Sequence, residues 1–307
     1  MKYYNNLDFN ITCIDTRHMR DNFVASYLIE SNNEFAFVDT GAYLSVPSLL
    51  KTLKEKSISV NDLKYIFVTH AHLDHAGGTG ELIRHLPNAK IVAHKNCAKH
   101  LIDPSKLKEG AIKVYGEVFF KQYLGDIIPV SKDRIIIADN QTITIGDRGL
   151  QLITTFGHAY HHYVIFDKLS NGVFSGDALG VSYSELNQDL SDNEILIFPP
   201  TTPTGFDPQE WLKTIDKIND LGIDKFYPTH YNQMPWNDKI AKQLKQRIVD
   251  FCQIAKKHQN SKNRTKDIKD GLFEYFSKTI SLDTKIKNKV LNSDIILCAK
   301  GLDYWLK

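Results

Sequence analysis

The stretch Thr69–Gly78, THAHLDHAGG, crowds His70, His72, Asp74 and His75 into one short turn directly after the apolar run Tyr65-Ile66-Phe67-Val68. Imidazole and carboxylate are the ligands that suit zinc and related divalent ions, and a site needs several of them within about 2.0–2.2 Å of the ion. His70 and His72 are two residues apart. If the extended geometry of the apolar run continues, they project to one side and can grip one ion together. Asp74 and His75 follow after the chain turns, which lets them face a second ion, and Gly77 and Gly78 permit the tight turn into a following helix.

One cluster is not a complete site, so further ligands are expected singly at strand ends. TTFGHAYHH places His158 after the β-type run Leu150–Thr154, FSGDALG places Asp177 after Val173–Ser175, and FYPTHYN places His230 after an apolar run ending at Tyr227. Loops at the edge of a sheet are where function concentrates. A lone histidine such as His85, His94 or His100 is more often structural or solvent-facing than a ligand, and these three are left unassigned. His161 and His162 stand open between contacting a ligand or substrate and ordinary loop roles.

Outward from these motifs, the first two thirds of the chain alternate short β-type runs with helical patterns. The runs are Ile11–Ile14, Val24–Ile29, Phe35–Val38, Tyr65–Val68, Ile91–Ala93, Ile143–Ile145, Leu150–Thr154, Tyr163–Phe166 and Val173–Ser175. Helices are expected at Val46–Glu55, Thr79–His85, about Lys106–Tyr123, and from Pro208 to Leu221 with Asp207 as N-cap. The mixture predicts sheets covered by helices, an α/β layered domain over residues 1–236. Beyond Trp236, the helical patterns Asn237–His258, Asp267–Thr279 and Thr284–Ala299 predict a helical C-terminal extension, 237–307, packed on that domain.

The 307 residues can bury a core without disulfides, and 42% hydrophobic and 24% charged residues with a net charge of +2 exclude a disordered or fibrous chain. Cys13, Cys97, Cys252 and Cys298 are widely spaced and contain no CxxC, so buried reduced thiols are expected rather than a disulfide framework. The N-terminal MKYYNNLDFN has no apolar leader region, and no segment approaches the roughly 20 apolar residues of a membrane span. A cytoplasmic protein without a membrane partner is the expectation. Lys239–Lys269 carries ten basic and two acidic residues. That surplus suits an anionic partner in principle, but a solvated helix face is the plainer reading, and nucleic acid is not expected as a partner.

HxHxDH followed by separate GH, GD and TH elements resembles the metallo-β-lactamase fold superfamily, across residues 39–230. The resemblance implies an αββα sandwich. It implies that His70, His72 and His158 bind one ion, that Asp74, His75 and His230 bind a second, and that Asp177 bridges them, with two Zn2+ per chain expected and Fe or Mn as alternatives. Asp39 in FVDTG matches an early aspartate that supports the ligands from behind. GHAYHHYVIFD, SGDALG and PPTTPTGFDPQEW…FYPTHYN look most like a glyoxalase II-like prokaryotic branch with a C-terminal helical extension. Phe156 and Tyr160 depart from that branch's pattern, where proline is usual, and put the shape of the pocket in doubt.

Two ions sharing a carboxylate can hold a water and lower its pKa toward ~7, giving a bridging hydroxide as nucleophile. The expected function is therefore a dinuclear hydrolase cleaving an ester, thioester or lactone, with Asp74 passing a proton to the leaving group. There is no GxSxG elbow and no Cys–His pair to support a covalent intermediate. Tyr160, His162 and Tyr183 are candidates to line the pocket beside the ligands, and Arg17 and Arg20 to hold a substrate carboxylate. The alternatives are a β-lactamase, a phosphodiesterase or ribonuclease using the basic segment, and an iron-dependent persulfide dioxygenase. The partner expected is a small-molecule substrate, with a homodimer left open.

Overall fold

A computed structural model describes residues 3–187, 195–279 and 284–307. The chain forms two compact units, one of Met1–Thr154, His161–Gly176 and Lys225–Gln233, the other of Thr155–Tyr160, Asp177–Asp224 and Met234–Lys307.

The first unit is built on two sheets. β1 (Tyr4–Leu7), β2 (Ile11–Asp15), β3 (Ala25–Ser31), β4 (Glu34–Val38), β5 (Leu63–Val68), β6 (Lys90–His94) and β7 (Ile135–Ala138) lie side by side in chain order. β1 to β4 pair antiparallel, and β4 to β7 pair parallel. The switch follows from the connections: turns and loops without helices join the first four strands, whereas helical crossovers, which parallel pairing requires, join the later ones. The crossovers contain α1 (Val46–Glu55), α2 (Leu73–Ala76), α3 (Thr79–His85), α4 (Lys95–Ile102), α5 (Ser105–Tyr115) and α6 (Glu117–Phe119). The second sheet contains β8 (Thr142–Ile145), β9 (Arg148–Thr155), β10 (His162–Asp167), β11 (Gly172–Gly176) and β12 (Lys225–Pro228).

Alternation along the strands divides the core in two. On β5 and β6, Ile66, Val68, Ile91 and Ala93 face Leu49 and Leu53 of α1 and Leu82 and Ile83 of α3. Phe67 and Val92, one residue out of phase, face Tyr163, Ile165, Phe174 and Tyr227 of the second sheet. Because both faces of these parallel strands are covered, they read as continuous apolar runs. β1 and β7 add to the expected strands. β1 carries only half-buried or exposed side chains and β7 is buried only at Ala138, so neither leaves a strong apolar signature.

The helix expected over about Lys106–Tyr123 is interrupted. Gly116, at φ +88°, ends α5 and starts α6, and a π-type turn over Phe120–Leu124 stops at Gly125, at φ +79°. Apolar periodicity carries through the break because Ala111, Phe120 and Leu124 bury on one cluster with Ala42 and Leu73. Periodicity reports which side is buried, while a positive φ decides where a helix ends.

The second unit contains α7 (Pro208–Asn219), β13 (Met234–Pro235), α8 (Asp238–Lys257), α9 (Arg264–Thr279) and α10 (Thr284–Trp305). Phe276 of α9 meets both Phe251 of α8 and Phe198, with ring centroids 5.8 and 5.5 Å apart. Gly301 of α10 lies so close to Thr201 that a Cβ would stand 2.2 Å from its carbonyl oxygen. Lys245–Asp216, Lys266–Asp270 and Arg264–Asp303 pairs neutralise part of the basic segment, and Arg247 is buried with its guanidinium donating to the Ile197 carbonyl. All four cysteines are buried free thiols, as the spacing implied. Among the described residues no helix is long and apolar enough to cross a membrane.

The Asp207 carboxylate accepts from the backbone N–H groups of Gln209 and Glu210, with Pro208 at the first helical position. Asp207→Ala is expected to lower stability by about 1 kcal/mol, as loss of an N-cap does, read as a shift in the urea midpoint at unchanged slope.

Candidate metal centre

β5 delivers the chain to Thr69. From there the backbone passes through His70 and Ala71 to His72, which precedes α2 in extended conformation at φ −63° and ψ 145°. Asp74 and His75 fall within the single turn of α2. Gly77 closes that turn where a Cβ would lie 2.4 Å from the Leu73 carbonyl oxygen, so no larger residue fits. The sharp reversal brings the four side chains together: His70 Nε2 and His72 Nδ1 are 2.9 Å apart, and the rings of His70 and His75 are 4.0 Å apart.

His230, two residues beyond β12, joins this turn. Asp74, His75 and His230 each offer one ligand atom, and these atoms lie within 4.8 Å of one another. Asp74 Oδ2 is 3.7 Å from His75 Nε2 and 3.5 Å from His230 Nε2. One carboxylate and two imidazoles converging this way are the donor set that fits zinc, iron or manganese. His75 is fully buried, while the Asp74 side chain keeps 29% of its surface exposed.

Asp39 holds this group in place. Its buried carboxylate accepts the Thr69 N–H (2.8 Å), the Thr69 hydroxyl (2.8 Å to Oδ2), the Thr229 hydroxyl (2.7 Å) and His75 Nδ1–H (2.9 Å). Two tautomers follow. His75 carries its proton on Nδ1 and turns Nε2 toward Asp74. Thr69 spends its only hydroxyl proton on Asp39, so its 3.1 Å contact with His70 Nδ1 has the imidazole donating, which leaves His70 Nε2 unprotonated. Asp39 thus ties the histidine turn to the end of β12 through its hydrogen bonds. Thr69 and Thr229 escaped notice, although the repeated Thr–His pair in THAHLDH and PTHYN was their signal.

The second unit brings His158 and Asp177 together. His158 Nδ1–H donates to the Pro200 carbonyl at 3.1 Å, which directs Nε2 to within 3.3 Å of Asp177 Oδ2. Trp211, against the His158 ring at 5.5 Å, donates Nε1–H to the Ala178 carbonyl.

The remaining candidates divide. His162 is buried and stacked on His70, centroids 4.8 Å apart, where Gly176 at φ +49° leaves it room: a Cβ there would lie 2.7 Å from both its Nε2 and the Thr69 hydroxyl. Tyr160 is half exposed. Tyr183 is buried with its hydroxyl donating to Asp294 of α10 and its ring against Phe198, a place in the packing of the helices. His94 caps α4 by accepting from Asn96 N–H, and His85 pairs with Glu81, the plain roles expected of them.

The loop between β2 and β3 also reaches this region. Phe23 lies edge-on to His230 (5.5 Å), with the Arg20 guanidinium over its ring (4.6 Å) and His18 stacked on it (6.2 Å). Burial pulls the His18 pKa below its usual value. Arg17 instead lies outward, paired with Asp21.

The family model of the Metallo-beta-lactamase superfamily matches residues 19–230, and the chain belongs to that superfamily. The metallo-beta-lactamase fold-containing protein ST1585 of Sulfurisphaera tokodaii is 29% identical over 166 residues, which are 53% of this chain and 58% of that one. The crystal structure of ST1585 superposes with a TM-score of 0.65 at 21% identity, covering 92% of this chain and 93% of that one, which shows a shared fold. A hydroxyacylglutathione hydrolase of Photobacterium profundum is 35% identical over 100 residues, 32% of this chain and 36% of the relative. An atrochrysone carboxyl ACP thioesterase of Aspergillus chevalieri is 23% identical over 245 residues, 78% of this chain and 61% of the relative. Each match thus takes in less than two thirds of the curated relative's own length.

Two measurements check this description. Asp39→Asn keeps the size but replaces acceptors by an amide that cannot receive all four donors; metal affinity is expected to fall about 10–100-fold, read by competition with a chromophoric chelator. The second concerns His161, whose pKa is lowered to about 3, first by burial and then by His72 and His100. The unfolded chain protonates this residue near 6.5, so unfolding takes up a proton below that pH. Stability of the metal-free protein should therefore fall as pH drops from about 6.5 toward about 3. His161→Gln should make that fall shallower in urea midpoints measured against pH.

Proposed function

We propose that the protein is a dinuclear metal-dependent hydrolase of esters, thioesters or lactones, related in activity to glyoxalase II. His70, His72 and His158 serve one ion, Asp74, His75 and His230 the other, and Asp177 is shared. Two Zn2+ per chain suit this set of imidazoles and carboxylates, with Fe or Mn as alternatives. The observation that carries the reading is the Asp74–His75–His230 group with Asp39 behind it, since an aspartate positioned to orient ligating histidines has little purpose away from a metal. When bound, such ions lower the pKa of water and polarise a scissile carbonyl.

The chain's own residues prepare that chemistry. The hydrogen bonds of His70, His75 and His158 through Nδ1 leave Nε2 as the unprotonated nitrogen in each ring, the tautomer a ligating imidazole needs. Asp74 is the most exposed of its group, and we assign it the transfer of a proton to the leaving group. Residues 237–307 are read as a helical extension of a catalytic domain, and the buried thiols suit a reducing, cytoplasmic setting.

Similarity to a hydroxyacylglutathione hydrolase and to an ACP thioesterase favours thioesters among the substrate classes. The test is a panel of thioester, lactone, ester, β-lactam and phosphodiester reporters given to metal-free and zinc-loaded protein. Zinc-dependent turnover of a thioester or lactone is expected, with Asp177→Ala lowering kcat by more than about 100-fold at a largely unchanged circular dichroism spectrum. Turnover confined to β-lactam or phosphodiester reporters would overturn the substrate assignment.

A further inference from the structure

His161 departs from the ligand pattern and yet lies beside it. Its Nδ1 accepts the backbone N–H of Ala71 at 3.2 Å, the peptide between His70 and His72. Its ring runs parallel to that of His70 (centroids 6.1 Å, interplanar 8°) and perpendicular to that of His72 (5.7 Å, 88°). On its other flank stands His100 of α4, 5.9 Å away and edge-on. A backbone N–H can only donate, so Nδ1 is the unprotonated nitrogen and the imidazole proton sits on Nε2. The ring is also partly open to solvent, unlike His162 beside it. The peptide joining two metal ligands therefore fixes both the position and the tautomer of a third imidazole.

We propose that His161 is a substrate-contacting group, whose Nε2–H donates a hydrogen bond to the carbonyl oxygen of the bound ester or thioester. This rests on the hydrolase reading above and deepens it. The role is electrostatic: as the carbonyl carbon is attacked, its oxygen gains negative charge, and a prepositioned N–H stabilises that charge more than it stabilises the ground state. No proton leaves His161, so the residue needs no regeneration within the cycle. It also gives a use to an imidazole that has no place in either ligand set. A ligand role is disfavoured by the same bond: placing a metal on Nε2 would move the ring proton to Nδ1, against the Ala71 N–H.

The experiment compares His161→Phe and His161→Gln with the parent, all zinc-loaded. Phe keeps the ring and removes the donor, whereas the Gln amide can restore an N–H near the position of Nε2. Expected are a fall in kcat of about 100-fold or more for H161F with KM little changed, and substantial recovery in H161Q. Zinc content should be unchanged in both. Affinity for methylphosphonate, a tetrahedral anion, measured by calorimetry, should weaken in H161F and return in H161Q. Wild-type turnover in H161F, or a loss of activity that tracks lost zinc, would overturn the assignment and leave the hydrolase reading standing. A parent protein that binds zinc but hydrolyses no reporter would sink the hydrolase reading and this inference together.

Discussion

The Asp39 carboxylate is the constraint on which the ligand-bearing segments of the first unit depend. It is fully buried, at the end of β4, with φ +55°, a backbone state that aspartate tolerates better than most residues. A buried carboxylate is costly unless its oxygens are satisfied, and here one hydroxyl from each Thr–His pair, one backbone N–H and one imidazole satisfy them. The same bonds that make the charge tolerable tie the end of β5, the turn of α2 and the end of β12 to one point. The protonation of His75, and through Thr69 that of His70, thus follows from a residue behind them.

The two-sheet core explains why these ends meet. β4, β5 and β6 are parallel and covered on both faces, so their C-terminal ends open at one edge, and the loops after β4 and β5 carry Asp39 and the histidine turn. Tyr27 adds a direct tie between the sheets, its hydroxyl donating to the Pro228 carbonyl at 2.6 Å, two residues before His230. Rigid strands with loops at their ends are a scaffold on which loop residues can change while the ligands stay in place. His161 and Phe23 lie on such loops in this chain.

Much of this was legible in the amino-acid sequence. The strands β2 to β6 and β8 to β11, the helices at Val46–Glu55 and Thr79–His85 and the Asp207 cap follow from local periodicity and end signals, because burial on two faces and capping are written in neighbouring residues. The ligand types in THAHLDHAGG also follow from the chemistry of the side chains, whereas the grouping of His230 with Asp74 and His75 was implied by the family resemblance and not by spacing. What stayed hidden was anything set by contacts remote in sequence or by one backbone angle. Gly116 breaks a helix that its periodicity continues through. Tyr183, which stands near Asp177 in sequence, gives its hydroxyl to Asp294, 111 residues further on.

Sequence alone determined that this chain carries metal-binding donor types just beyond the strand ends of a layered α/β fold, because donor chemistry and hydrophobic period are local properties. Tertiary structure decided which nitrogen carries the proton in the rings of His75, His158 and His161, since His75 donates to Asp39 across 36 residues, His158 to the Pro200 carbonyl across 42, and His161 receives the Ala71 N–H across 90. A hydrogen bond fixes a tautomer only once both partners have been brought within about 3 Å, and no spacing along the chain records that distance.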